Sequence, residues 1–131
     1  MKNISYITAG RRKNAVAIVK VLEGSGRVLI NEKTLDEYFG GLERLKKIVL
    51  KPLDVCGEVK NYDFCVSVRG GGVSGQAGAV CHGLARTILK LNDLSKAMLK
   101  KEGLLTRDPR MVERKKTGRP KARKRFQFSK R

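Results

Sequence analysis

Three sets of residues in this chain have the types and spacing to do chemistry. The first is Arg69-Gly70-Gly71-Gly72-Val73-Ser74-Gly75-Gln76-Ala77-Gly78-Ala79, which follows a strand pattern and opens a helical one. Gly70 to Gly75 satisfies G-x-G-x-x-G, and Asp93 stands near the distance at which a dinucleotide-binding unit places its ribose acid. The match stops there. Asp93 lies in Leu91-Asn92-Asp93-Leu94, behind the helical pattern, and no further strand follows to complete the unit. A P-loop is excluded because Gln76-Ala77 stands where Lys-Ser or Lys-Thr would hold phosphate and magnesium. What survives is physical. Glycines let a backbone approach closely, and the free amides and dipole of a helix start favour an anion, for which an RNA phosphate serves as well as a nucleotide's. The other use of such a loop is a turn of small residues packing helix on strand.

The second set is His82 with Cys56, Cys65 and Cys81. No carboxylate or nucleophile stands at a meaningful spacing from His82, and nothing in the chain assembles acid, base and nucleophile, so no enzyme activity is expected. The cysteines are odd in number, nine and sixteen residues apart, with no C-x-x-C pair. A disulfide framework needs an even set and zinc needs four close ligands, so the thiols are expected to be reduced and buried. No cofactor or metal is implied.

The third set is basic. Residues 107–131 carry 12 Lys or Arg against Asp108 and Glu113, a net +10, and the preceding 106 residues are themselves at +8. Each Lys or Arg placed on a phosphate releases a condensed counterion, so such a run binds nucleic acid without reading bases. Between Glu113 and Arg125 the only apolar side chain is Ala122, and Gly118 and Pro120 interrupt any helix. With nothing to bury against conformational entropy, the arm is expected to be unfolded until it lies along RNA. Fully extended it would span at most roughly 80 to 90 Å. Phe126 and Phe128 bracket Gln127 at its end, where they suit either stacking on bases or tucking against a protein neighbour. A nuclear-localisation reading of Arg123-Lys124-Arg125 leaves the arm's other nine cations unexplained.

A charge of +18 on 131 residues exceeds what solubility needs and points to a polyanion. The length suits one domain, residues 1–106, plus the arm, residues 107–131. The first ten residues have no apolar core long enough for a signal peptide, and no stretch approaches 18 apolar residues, so a soluble cytosolic protein, or one of an equivalent compartment, is expected.

The elements that must position these groups read as follows. Residues 4–8 form a strand leading into a basic turn, Gly10-Arg11-Arg12-Lys13-Asn14. Residues 15–22 are apolar on both faces apart from Lys20, as in a central or doubly covered strand, and Glu23-Gly24-Ser25-Gly26 turns into a hairpin partner at residues 27–31. Thr34 and Glu37 make a capping box for a short helix closed by Gly40-Gly41. A second helix over residues 42–50 is cut by Pro52. Residues 63–69 alternate, with Phe64, Val66 and Val68 on the core side. Residues 75–91 form the strongest helix, packing through Ala77, Val80, Cys81, Leu84, Ile88 and Leu91, with His82, Arg86 and Lys90 as a basic ridge opposite. Ser95 caps a last helix ended by Gly103.

Taken in order, Gly10-Arg11-Arg12-Lys13, the glycine segment 70–79, Thr106-Arg107-Asp108, Glu113-Arg114-Lys115-Lys116 and the terminal Gln127-Phe128-Ser129-Lys130-Arg131 resemble the universal ninth protein family of the small ribosomal subunit, in its bacterial or organellar form. The resemblance implies an α/β domain (a two-layer α+β body) like domain two of ribosomal protein five. Its four-stranded sheet packs with helices and has a left-handed β-α-β crossover, the opposite of the general rule, and an extended basic C-terminal tail follows.

It also implies partners: small-subunit rRNA in the subunit head, neighbouring head proteins and, through the tail, the anticodon stem-loop of peptidyl-site tRNA. No membrane or small-molecule substrate is implied, and the place is the ribosome, in cytoplasm or in an organelle. Carried over by position, Ser129, Lys130 and Arg131 meet the tRNA. The rRNA surface is Arg11, Arg12, Lys13, Arg69, Gly70, Gly71, Gly72, Ser74, Gln76, Arg86, Lys90, Arg107, Arg110, Arg114, Lys115 and Lys116, with Arg119, Lys121, Arg123, Lys124 and Arg125 in an rRNA channel. Phe126 stands where the family usually has proline, which leaves the stiffness of the tail before its tip open. The rival from another class is a nucleoid-type DNA-binding protein, for which the same charge would give comparable affinity for duplex DNA and rRNA.

Overall fold

Two long strands pair first. Strand β1 (Ile4–Arg12) runs antiparallel to β2 (Ala15–Glu23), with Thr8 opposite Val19, Gly10 opposite Ala17 and Arg12 opposite Ala15. In this computed structural model, which describes residues 4–57 and 60–130 and the backbone alone for Ile4 and Ser5, the chain then builds β3 (Val28–Ile30), β4 (Lys33–Thr34), α1 (Leu35–Phe39) and α2 (Glu43–Cys56). Strand β5 (Tyr62–Arg69), α3 (Val73–Leu91), a single 3-10 turn (Asp93–Ser95) and α4 (Lys96–Lys101) complete it. Residues 102–130 contain no helix or strand. No described helix is long and apolar enough to cross a membrane.

The sheet order is β1-β2-β5-β3-β4, so the fold is α+β with a mixed sheet. This corrects the expected hairpin between residues 15–22 and 27–31. Strand β5 enters between them, antiparallel to β2 and parallel to β3, and β3 turns instead onto the two-residue β4. The sheet thus has five strands where four were expected. Turn chemistry at Glu23 to Gly26 reverses the chain but does not choose its neighbour. Asp63 helps decide that choice: its Oδ1 accepts from the backbone N–H groups of Ser25 and Arg27, tying the turn to β5.

One face of the sheet is the core. Ala15, Ala17, Val19 and Val21 of β2, Phe64, Val66 and Val68 of β5 and Ile30 of β3 are buried there against α3, α2 and Phe39. Strand β2 is central, as expected, but covered on one side only: Ile18 is 42% exposed on the other face. Cys65 lies on that open face, half-buried, while Cys56 and Cys81 are buried, and all three thiols are free. Burial pushes the Cys81 thiol up to about 11, so it is inert at neutral pH.

Helix α2 corrects a second expectation. It runs through Pro52 to Cys56, although an interior proline forfeits one backbone hydrogen bond and crowds the preceding turn, at about 3 kcal/mol. Pro52 is fully buried, in line with Leu45, Val49 and Cys56 on the core face, and that burial offsets the cost. The capping box of α1 is present as expected, with Thr34 accepting from the Glu37 N–H and Glu37 from the Thr34 N–H. Ser95 holds the N-cap position of the last helix, as expected, but its side chain is buried and makes no cap bond; the side-chain cap is made one turn earlier, by Asn92 on the 3-10 turn that leads into the helix. Gly103, with φ of +69°, ends α4 as expected. The Leu104 N–H bonds back to Leu99 O and the Gly103 N–H to Lys100 O, which turns the chain and buries Leu104 against Leu99.

Helix α3 lies almost in contact with the backbone of β1. A Cβ at Gly10 would fall 2.1 Å from Ala79 O and 2.2 Å from Gly83 N, and one at Gly83 would fall 2.8 Å from a Val19 methyl. Thr8 and Thr87 share a hydrogen bond across the same seam, and the hydroxyl that accepts it donates to Gly83 O, which lies within reach of both. Gly10→Ala must separate two backbones, and is expected to lower the free energy of unfolding by about 3 kcal/mol, as read in urea melts. Gly72→Ala, where nothing lies within 4 Å, serves as the control and should cost no more than about 1 kcal/mol, the loss of a favoured N-cap residue.

Candidate nucleic-acid interface

The basic turn expected at Gly10 to Lys13 is mostly strand. Gly10, Arg11 and Arg12 belong to β1, and only Lys13 and Asn14 lie outside the strands, with Lys13 at φ of +52°. This tip meets the glycine segment because β2 and β5 are paired, Val16 opposite Arg69. A Cβ on Gly70 would fall 2.6 Å from Asn14 O, and one on Gly75 would fall 3.7 Å from the Lys13 side chain. Arg69, Gly70, Gly71, Gly72 and Ser74 are exposed beside Arg11 and Lys13. Helix α3 starts there with Gly72 as N-cap and no side-chain cap bond, so its first-turn amides face outward. Gln76 is committed inward: its amide donates to Gly70 O at 3.1 Å and accepts from the Tyr38 hydroxyl at 2.6 Å. It braces the glycine loop.

The ridge on α3 does something the sequence did not suggest. His82, Arg86 and Lys90 lie along β1, the edge strand of the sheet. Arg86 donates to Ala9 O at 2.6 Å, Lys90 to Ile7 O at 3.5 Å, and His82 Nδ1 accepts from the Arg11 N–H at 3.4 Å. A four-residue step on a helix matches a two-residue step on a strand, so Ile7, Ala9 and Arg11 each have one outward backbone group taken by α3, which hinders pairing of another strand along this edge. Arg86 and Lys90 remain exposed, and their charge is still presented to solvent.

The same His82 reaches the root of the arm. With Nδ1 accepting, Nε2 carries the proton and donates to Leu105 O at 3.3 Å. Arg12 meets Asp108 at 3.4 Å, and Asp108 holds Arg110 through its backbone N–H and guanidinium, which keeps the Asp108 carboxyl well below the usual carboxylate range. Farther out, Glu113 pairs with Lys116 and with Arg123 at 2.9 Å, so the arm bends back around a turn at Lys116 to Arg119 rather than running straight. Arg107, Arg110, Arg114, Lys115, Lys121, Arg123, Lys124, Arg125, Ser129 and Lys130 are exposed, and Lys116 and Arg119 are half-buried. Arg131 lies outside the described residues. Sequence reasoning missed Tyr38, Asp108 and Glu113 as organising groups; the signal available was that two acids persist within a strongly basic run.

One end of the body therefore gathers a β-turn, a glycine loop, a helix start and the root of a cationic arm. A family model described as Ribosomal protein S9/S16 matches residues 10–131, which includes all of these parts. The chain belongs to that family. It is 52% identical over 125 residues to the small ribosomal subunit protein uS9 of Anaeromyxobacter sp. (strain K), covering 95% of each chain, and equally to that of Anaeromyxobacter dehalogenans (strain 2CP-1). To the uS9 of Azobacteroides pseudotrichonymphae it is 52% identical over 122 residues, covering 93% of this chain and 94% of the relative.

His82 is the only histidine, so its titration can be read directly. Burial lowers its pKa below 6.5, outweighing the bond to Leu105 O, which raises it, and the Arg86 and Arg107 charges act in the same direction as burial. The unfolded chain thus takes up a proton that the folded one resists. The stabilisation is complete above pH 6.5 and is lost as pH falls through the folded pKa. The His82 ring resonances should titrate below 6.5, the melting temperature should drop between pH 7.5 and 5.5, and His82→Gln should flatten that drop.

Proposed function

We infer that this chain is a structural constituent of the small ribosomal subunit, a non-enzymatic protein that binds small-subunit rRNA. Its C-terminal arm reaches the anticodon stem-loop of peptidyl-site tRNA. The observation that carries the reading is family membership over residues 10–131, the arm included. The body, residues 1–106, sits against rRNA in the subunit head among neighbouring head proteins. Arg11, Lys13, Arg69, the Gly70 to Gly72 backbone, Ser74, Arg86 and Lys90 face phosphates, and Arg107 to Arg125 line the rRNA path. Ser129, Lys130 and Arg131 meet the tRNA backbone, and because phosphate contacts position without reading sequence, all tRNAs are held alike. The finer fold assignment, domain two of ribosomal protein five with a left-handed crossover at the parallel β3 and β5, belongs to the same reading. So does the ordering of the arm along RNA, on ribosomes of a bacterium or an organelle. A nucleoid-type DNA-binding role is not favoured by the relatives.

Deleting residues 129–131 should weaken tRNA binding at the peptidyl site and loosen frame maintenance while leaving subunit assembly intact; unchanged tRNA affinity would end the tRNA assignment. Separately, removing residues 113–131 should flatten the salt dependence of rRNA binding, by about 0.7 to 0.9 in the log–log slope for each phosphate the arm no longer neutralises.

A further inference from the structure

An arm that worked by charge alone would do better without Asp108, since a carboxylate among phosphates repels them. Its position shows a different use. Arg12 is held by the body: it ends β1, its stem packs on α3 where a Cβ at Gly78 would fall 2.2 Å from its Cδ, and its Nε is the one buried side-chain N or O atom without a hydrogen-bond partner among the described residues. The Arg12 guanidinium meets Asp108 at 3.4 Å, with both side chains more than two-thirds buried. Asp108 in turn accepts from the Arg110 backbone N–H at 3.0 Å and takes its guanidinium on both oxygens, while Pro109 between them has a fixed φ. Upstream, Leu104 is buried and Leu105 is tied to His82, so the Arg12–Asp108 ion pair fastens the arm to the body just beyond those two anchors.

We propose that Asp108 is a positioning residue: through Arg12 and Arg110 it sets the direction in which the cationic arm leaves the body, and so reduces the entropy lost when the arm lies down on RNA. The inference rests on the reading that the arm binds RNA. The clamp itself can be measured without RNA. Spin labels at Lys47→Cys on α2 and Thr117→Cys in the arm, in full-length Cys65→Ser protein, report the distance between body and arm. The distribution should broaden in Asp108→Asn, broaden equally in Arg12→Gln, and broaden no further in the double variant, while Asp108→Glu should restore much of the narrow distribution. An unchanged distribution, or additive effects in the double variant, would overturn the clamp.

Affinity for a fragment of small-subunit head rRNA then separates position from charge. Asp108→Asn removes one negative charge and so raises the net charge by one, for which charge alone predicts tighter binding; lost preorganisation predicts about tenfold weaker binding. Tighter or equal binding by the variant would overturn the positioning role. A wild-type chain that ignores the RNA would instead overturn the functional reading, whatever the distances show.

Discussion

The near-contact of α3 with β1 is the constraint on which the rest of the structure depends. Two glycines, Gly10 and Gly83, remove the side chains that would hold helix and strand at an ordinary separation. Only at that separation can His82, Arg86 and Lys90 reach across to the backbone of the edge strand. The same approach lets Arg12 lie over Gly78 with its guanidinium aimed at Asp108. Close packing, edge protection and the fastening of the arm are consequences of one geometric allowance.

Charge is managed in two ways. On the body, basic side chains are tied at their tips or stems and remain exposed, so a positive surface is held in a defined shape. In the arm, Asp108 and Glu113 gather Arg110, Lys116 and Arg123 around themselves. Exposed pairs of this kind contribute little to stability, and Arg110 is 81% exposed. They have a conformational effect instead, bending a segment that its own repulsion would otherwise straighten.

Burial elsewhere follows the same economy of small residues. The core has no Trp and depends on Val, Ala, Ile30 and Phe64 of one sheet face against α2 and α3, which contribute Leu45, Val49, Val80 and Leu84. The face opposite leaves Ile18 and Cys65 partly open. A body of this size with one covered face gains from any partner that binds only its folded form.

Much was legible from the residues alone because it is local. Period-two alternation marked β5, period 3.6 marked α3, Thr34 with Glu37 marked the start of α1, and Gly103 marked the end of α4. The polyanion partner was legible from charge, and the family from motifs spread in order along the chain. Strand order was not legible, because a turn such as Glu23 to Gly26 reverses the chain without saying which strand will lie beside it; Asp63, 38 residues beyond Ser25, supplies the missing contact. The persistence of α2 through Pro52 likewise depends on burial that only the packed molecule provides. Neither could a helical period show that the basic ridge of α3 lies along a strand edge, or that Arg12 meets Asp108, 96 residues away. Periodicity and composition act over one or two turns of chain. Distant pairings are chosen by shape and by unsatisfied backbone groups, which exist only once the elements have come together.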